Sequence, residues 1–347
     1  MTKIENLPLP VAQIGCMQLI SLVVLVIMAD HADDEFDGDV FIYRGGEVPL
    51  HVTHVLIDES VNEIEDGAFS ECEDLLTVET HDGLRKIGVG AFYNCTSLRR
   101  INLKSAVVID EYALQNCYSL EAVEFGGRLE SIGIFAFSEC SIKHLKLPSI
   151  ITIGTGAFRL CTSLIDVELS ERLETIGIQA FWSCDRLQRI AMPIKRDLFP
   201  LSAFNQKGSQ FMDCEQLATV DLVDGVHKTV SSLHMDSWRS EIISVINRIN
   251  KVLPNTHYNE KTAVIKRWME MVVDKMDHYK AEHRSYVKEG MTILELALWK
   301  AKLIGDIEEG RAMKANVAAE RVRNESRVLC GAEIVIKNVL PHLQLEE

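Results

Sequence analysis

The chain has 347 residues, 47% of them hydrophobic, which is enough to bury a sizeable core and to build more than one compact unit. Its 36 Lys and Arg stand against 51 Asp and Glu, a net charge of -15. An acidic chain repels phosphate backbones, and with no local basic patch this excludes nucleic acid as a general partner.

The first segment, 1–40, is apolar and then acidic, and is read as disordered or targeting. From Asn6 to Ala29 there is no charged residue, and Leu19 to Met28 is almost wholly apolar. Three readings stay open: a secretory signal, a membrane anchor, or an extension ahead of a true start at Met28. Pro8, Pro10, Gln13 and Gln18 speak against the first two, as does a basic region consisting of Lys3 alone. From Met28 to Asp39 the chain would then be an acidic, disordered leader. A membrane enters the picture only if the apolar run is retained.

Residues 50–57 are expected to form a strand ahead of the first full repeat, because Val52, Val55 and Ile57 alternate as Leu75, Val78 and Thr80 do. Phe41, Ile42 and Tyr43 are expected to pack beneath it. Between residues 64 and 222 a pattern I-x-x-x-x-F-x-x-C-x-x-L-x-x-V-x-L recurs seven times. Its columns are Phe69/Cys72, Phe92/Cys95, Leu114/Cys117, Phe137/Cys140, Phe158/Cys161, Phe181/Cys184 and Phe211/Cys214, with successive cysteines 23, 22, 23, 21, 23 and 30 residues apart. An isoleucine stands five residues before six of the seven, and Gln206 breaks that column in the last copy. A unit this short cannot bury its own apolar face, so the copies must stack and share one core. The alternation in Leu98, Ile101 and Leu103 predicts one short strand per coil, and hence one parallel sheet along the stack. The wide last spacing predicts an insertion over about 195–210.

These residues resemble the leucine-rich repeats of the BspA type, in which G-A-F-x-x-C-x-x-L followed by V-x-L recurs. The resemblance covers about residues 41–224. It implies a solenoid that binds, acting as a cell-surface adhesin in some organisms and inside cells in others. Thr292 to Lys300 and Arg327 to Ile336 resemble the closing module that follows such repeats in microbial eukaryotes. The expected fold class is therefore an α+β repeat: a leucine-rich-repeat solenoid over 41–224, then a helical domain over 225–347.

Within that last domain, Trp238, Ile242, Val245, Ile246, Ile249 and Val252 recur at helical spacing and stop at Pro254. Val264, Ile265, Trp268, Met269, Val272 and Met276 repeat the pattern, and both stripes read as core. Thr292 and Glu295 make a capping-box pair before Leu296, Leu298 and Trp299. The charged stretch 306–326 reads as a solvated helix or a mobile connection, and a last helix is expected from about Gly331 to Pro341.

Chemistry-bearing motifs are missing. His51 and His54 form an H-x-x-H without a third ligand, which favours a surface or cap role over metal. His278 and His283 do not share a helix face. No phosphate loop, nucleophile elbow or H-E-x-x-H occurs, so no catalytic, cofactor-binding or metal residue is assigned and no enzyme is expected. The repeated cysteines read as buried, unpaired thiols, which favours a reducing, cytoplasmic compartment over a secreted or membrane-anchored one. The expected function is a non-catalytic protein-interaction scaffold. The alternative is a secreted or membrane-attached adhesion protein. In either case recognition is expected on the exposed strand positions Arg100, Asn102, Glu124, His144, Lys146, Asp166, Glu168 and Arg189, with an unidentified protein as partner.

Overall fold

The computed structural model describes residues 40–199, 209–223 and 236–312, the side chains in the last stretch as far as residue 302. The readings of residues 1–39, of the segment beyond 312 and of the final helix at 331–341 lie outside the described residues. The chain forms two compact units, one running through the repeats and on to Lys275 and a second beginning, in the helical region, at Met276.

In chain order the strands are β1 (Val40–Tyr43), β2 (His54–Ile57), β3 (Glu63–Ile64), β4 (Thr77–Glu79), β5 (Lys86–Ile87), β6 (Arg100–Leu103), β7 (Val108–Ile109) and β8 (Ala122–Phe125). They continue as β9 (Ser131–Ile132), β10 (His144–Leu147), β11 (Thr152–Ile153), β12 (Asp166–Leu169), β13 (Thr175–Ile176), β14 (Arg189–Met192) and β15 (Thr219–Leu222). Every pairing is parallel, as a stack of like coils requires. The solenoid is the expected one, with two strands per coil where the sequence showed one. The isoleucine column makes its own sheet of two-residue strands, β3-β5-β7-β9-β11-β13. Phe41 to Tyr43 do not lie beneath the first strand. They are β1, a further rung beside β2.

The main ladder is interrupted, running β1-β2-β4-β6-β8 and then β10-β12-β14-β15. The break falls where the spacing changes. From the column cysteine to the first strand residue is five positions at Cys117/Ala122 and Cys161/Asp166, and four at Cys140/His144. That coil is one residue short in the turn leading into β10, although His144 to Leu147 keep the same alternation of outward and buried residues as the other strands. At the break Val123 and Phe125 are half-buried where their counterparts Ile101 and Leu103 are fully buried.

The opposite wall has no such break. The rings of Phe69 and Phe92 stack at 5.0 Å, and Phe137, Phe158, Phe181 and Phe211 continue at 5.5, 5.4 and 5.6 Å. Where Leu114 takes the place of a ring, Phe125 comes in edge-on against Phe137 at 5.6 Å. Tyr43 and Phe199 close the column at its two ends with tilted and edge-on contacts. From the second coil on, each thiol donates to the carbonyl of the column residue one coil back: Cys95 to Phe69, Cys117 to Phe92, Cys140 to Leu114, Cys161 to Phe137, Cys184 to Phe158 and Cys214 to Phe181, at 2.9–3.3 Å. The seven described cysteines are buried and free. Burial pushes the Cys117 and Cys161 thiols up to about 12, so they remain protonated. Coils approach so closely that a Cβ on Gly177 would lie 2.4 Å from the Gly154 carbonyl carbon, which is why glycine recurs after the isoleucine.

The last coil needs partners for groups that a further coil would have satisfied. In the expected insertion, which is described in part, the Leu198 carbonyl accepts from the Ile176 amide at 2.8 Å. Helix α1 (Asp236–Val252) and the start of α2 (Lys261–Ala312) supply the rest. Asn250 Oδ1 accepts from the Val220 amide at 2.8 Å, and Thr262 Oγ1 accepts from the Phe211 amide at 3.0 Å, where Phe92 finds the next coil's Ala113 carbonyl. The buried Lys261 ammonium donates to the carbonyls of Cys214, Glu215 and Leu217 at 2.9, 2.6 and 2.8 Å.

Most of the first two helical stripes is core, as expected, while Val252, read as part of the first, is exposed. Trp238, Ile242 and Ile249 of α1 and Ile265, Trp268, Met269 and Val272 of α2 are buried, and Trp268 Nε1 donates to the Val245 carbonyl at 3.0 Å. Helix α1 stops where Pro254 opens a 3-10 turn. The expected capping box is corrected: α2 runs without a break through Thr292, whose hydroxyl donates back to the Lys288 carbonyl, so it never serves as an N-cap. In the second unit Leu296, Leu298 and Trp299 are exposed. Residues 306–312 continue the helix, and the rest of that charged stretch lies outside the described residues. Among the described residues no helix is long and apolar enough to cross a membrane.

Candidate functional site

The eight expected recognition residues all stand on strands of the main ladder, in two groups. Arg100 pairs across the ladder with Ala122, and Asn102 with Glu124, on β6 and β8. His144 stands opposite Asp166 and Lys146 opposite Glu168 on β10 and β12, and Asp166 is next to Arg189 on β14. The ladder break falls between the groups, so backbone pairing does not join them. Buried Ile101, Leu145, Val167 and Ile190 lie between the outward positions.

Much of the charge is satisfied internally. Arg189 is clamped, Nη1 on Asp166 at 2.8 Å and Nε on Asp221 at 2.6 Å. Lys146 meets Glu168 at 3.1 Å, and Glu124 pairs with Lys104. One position before each strand, Lys143 meets Glu121 at 2.7 Å and holds its carboxyl below the usual range. Asn102 Oδ1 accepts from the Lys104 amide at 3.1 Å. Arg100 and His144 differ from the rest: both are exposed, and neither has an ion pair or hydrogen bond among the described residues. Exposed pairs of this kind contribute little to stability, about 0–1 kcal/mol each, so this surface is free to vary.

Two partners fall outside the eight. Asp221 is legible, since it stands one rung beyond Ala191 in the same outward column. Lys104 reaches back from the turn after β6 and carries no periodic mark. The surface closes at Ala191, which is buried.

The two histidines of the H-x-x-H part company. His51 Nδ1 is 2.9 Å from Asp74, and His54 Nδ1 is 2.7 Å from the Thr77 hydroxyl. Among the described residues no three His, Cys, Asp or Glu side chains are grouped to hold a metal ion. An open groove beside the last coil is lined by Gln188, Arg189, Thr219 and Lys261, and both of its cations are already engaged, by the Arg189 clamp and the Lys261 carbonyls.

The model of the BspA type leucine rich repeat region matches the chain in six copies, over residues 50–152, 104–210 and 135–264. Among solved structures, a leucine-rich repeat protein of Bacteroides ovatus is 26% identical, with 51% of this chain and 48% of that one covered and a TM-score of 0.42. The chain thus spans about half the length of that protein. A T. pallidum leucine-rich repeat protein is also 26% identical, with 57% and 88% covered and a TM-score of 0.42. The pneumococcal vaccine antigen PcpA is 16% identical over 52% and 39%, with a TM-score of 0.31. No curated protein matches the chain.

Proposed function

The chain belongs to the BspA type leucine rich repeat family, and from that premise we propose that it is a non-catalytic protein-interaction scaffold whose recognition surface is the outward face of the main ladder. The observation that carries this is the pair Arg100 and His144, which project from an otherwise self-neutralised face with no partner among the described residues. Charges already paired in the free protein add little on binding, whereas the unpaired Arg100 guanidinium can meet a partner's carboxylate, and the open His144 ring can hydrogen-bond to one, without breaking anything first. The partner we infer is a protein presenting acidic groups to that face. The column of free thiols favours a reducing compartment, and a cytoplasmic address follows as part of the same proposal.

The test uses the immobilised full-length chain beside an Arg100→Glu/His144→Glu variant, with retained proteins quantified by mass spectrometry. Both substitutions are exposed and should move stability by no more than about 0.5 kcal/mol. A partner on this face is held by the parent, lost from the variant, and released as ionic strength rises. Equal retention by parent and variant rejects the strand face.

A further inference from the structure

A second surface lies on the turn wall and concerns residues that the strand face does not use. Two positions before the ring column, every coil from the first to the sixth takes a left-handed backbone: Gly67, Gly90 and Gly156 at φ 65, 58 and 62, and Tyr112, Phe135 and Gln179 at φ 58, 53 and 56. Glycine adopts that conformation freely, and bulky L-residues do so against a steric penalty. Tyr112 and Phe135 occupy it in consecutive coils, and their rings stack at 5.8 Å on the outside of the solenoid. Non-glycine residues take the same left-handed turn two positions after the ring column, at Glu71, Asn94, Asn116, Glu139, Leu160, Ser183 and Asp213, so what sets these two coils apart is the aromatic pair they display outward.

The stack continues along the axis. The Phe135 ring lies over Gly156, where a Cβ would come within 2.3 Å of it. Beyond it the Arg159 guanidinium sits 5.9 Å from the Phe135 ring and 4.1 Å from that of Trp182, whose indole N–H is fixed on Asp213 at 2.7 Å. Coils spaced about 4.8 Å apart give this band a length of roughly 14 Å, the span of about four extended residues. Tyr112 is 37% exposed at one end. Its chain neighbour Glu111 has no ion pair among the described residues, while the nearby Asp110 is already held by Lys86 at 3.1 Å. At the other end burial, and then the Glu215 and Asp213 carboxylates, push the Asp185 carboxyl up, so negative charge gathers there as well.

We propose that the band of Tyr112, Phe135, Arg159 and Trp182 is a docking surface for an extended, arginine-bearing segment of a partner protein. Arg159 already occupies a guanidinium position between two rings, and at the other end the part-exposed Tyr112 ring, stacked on Phe135 by one face, has the Glu111 carboxylate next to it in the chain. A planar guanidinium stacks on aromatic faces while keeping its N–H groups for the flanking carboxylates, which an ammonium does less well.

The experiment is fluorescence anisotropy with the full-length chain and a labelled peptide of alternating arginine and glycine, compared with its lysine counterpart. The arginine peptide should bind about tenfold tighter than the lysine one. A Tyr112→Gly/Phe135→Gly variant should weaken it by about tenfold or more, and this variant folds, because glycine already stands at the same position in three coils. No binding, equal binding of the two peptides, or unchanged binding by the glycine variant overturns the proposal. So does a neutral maltooligosaccharide that binds the parent and not the variant, since the band would then be a carbohydrate platform.

Discussion

The two walls of each coil are made by the same repeat and behave in opposite ways. On the turn wall, ring follows ring and each thiol from the second coil on bonds the carbonyl one coil back, with one Leu114 substitution made good by Phe125. On the strand wall the ladder breaks after β8 and the outward residues follow no rule of type. Positions that set the distance between coils are held to one solution by backbone contact, as at Gly177, whereas positions facing outward answer only to whatever binds there.

The largest effect that would break this contrast is expected on the turn wall. Phe137→Ala removes a ring packed against Phe125 and Phe158 and should destabilise the solenoid by about 3–5 kcal/mol, read as a lower denaturation midpoint. A midpoint equal to the parent's would show that the ring column does not hold the coils. A smaller loss is expected at the capped end. Lys261→Met leaves three carbonyls without their donor and should cost roughly 2 kcal/mol, with the loss of amide protection greatest around Phe211 to Leu222. Protection lost evenly over all coils would place the lysine's role elsewhere. The smallest effect sharpens the comparison. Inserting one serine between Ser141 and Ile142 restores the five-residue spacing and should join the two ladders, slowing exchange of the Lys143 to Lys146 amides for a gain of about 1 kcal/mol. Unchanged exchange there would mean that the missing residue is not what parts β8 from β10.

Much of the fold could be read in advance because each repeat states the same demand, and seven statements of it fix the columns at Phe69, Cys72 and their counterparts. What repeats only as a pair of residues is harder to see. The second sheet uses strands such as Lys86–Ile87, too short for alternation to register. The break at His144 was present as a spacing, yet its effect depends on whether a shortened turn still lets β10 meet β8. Asn250, Thr262 and Lys261 act once each, across 30 to 51 residues of sequence, and leave no periodic trace. Thr292 shows the converse failure: a correct local motif overruled by a helix that had no reason to stop. Of the eight strand-face residues, outward placement was legible from alternation, and which of them were already paired was not, because Lys104 and Asp221 reach them from other coils.

The acceptor and donor atoms offered by Asn250, Thr262 and Lys261 have a consequence for assembly. A stack of like coils carries no internal rule for its own length: whatever surface one coil offers the next, the final coil offers to anything of the same shape, including the first coil of another molecule. Growth of that kind is open-ended and leads to filaments. By answering the Val220 and Phe211 amides and three carbonyls with side chains instead of another backbone, the helices work as a chain terminator. They turn a polymer template into a molecule of fixed size.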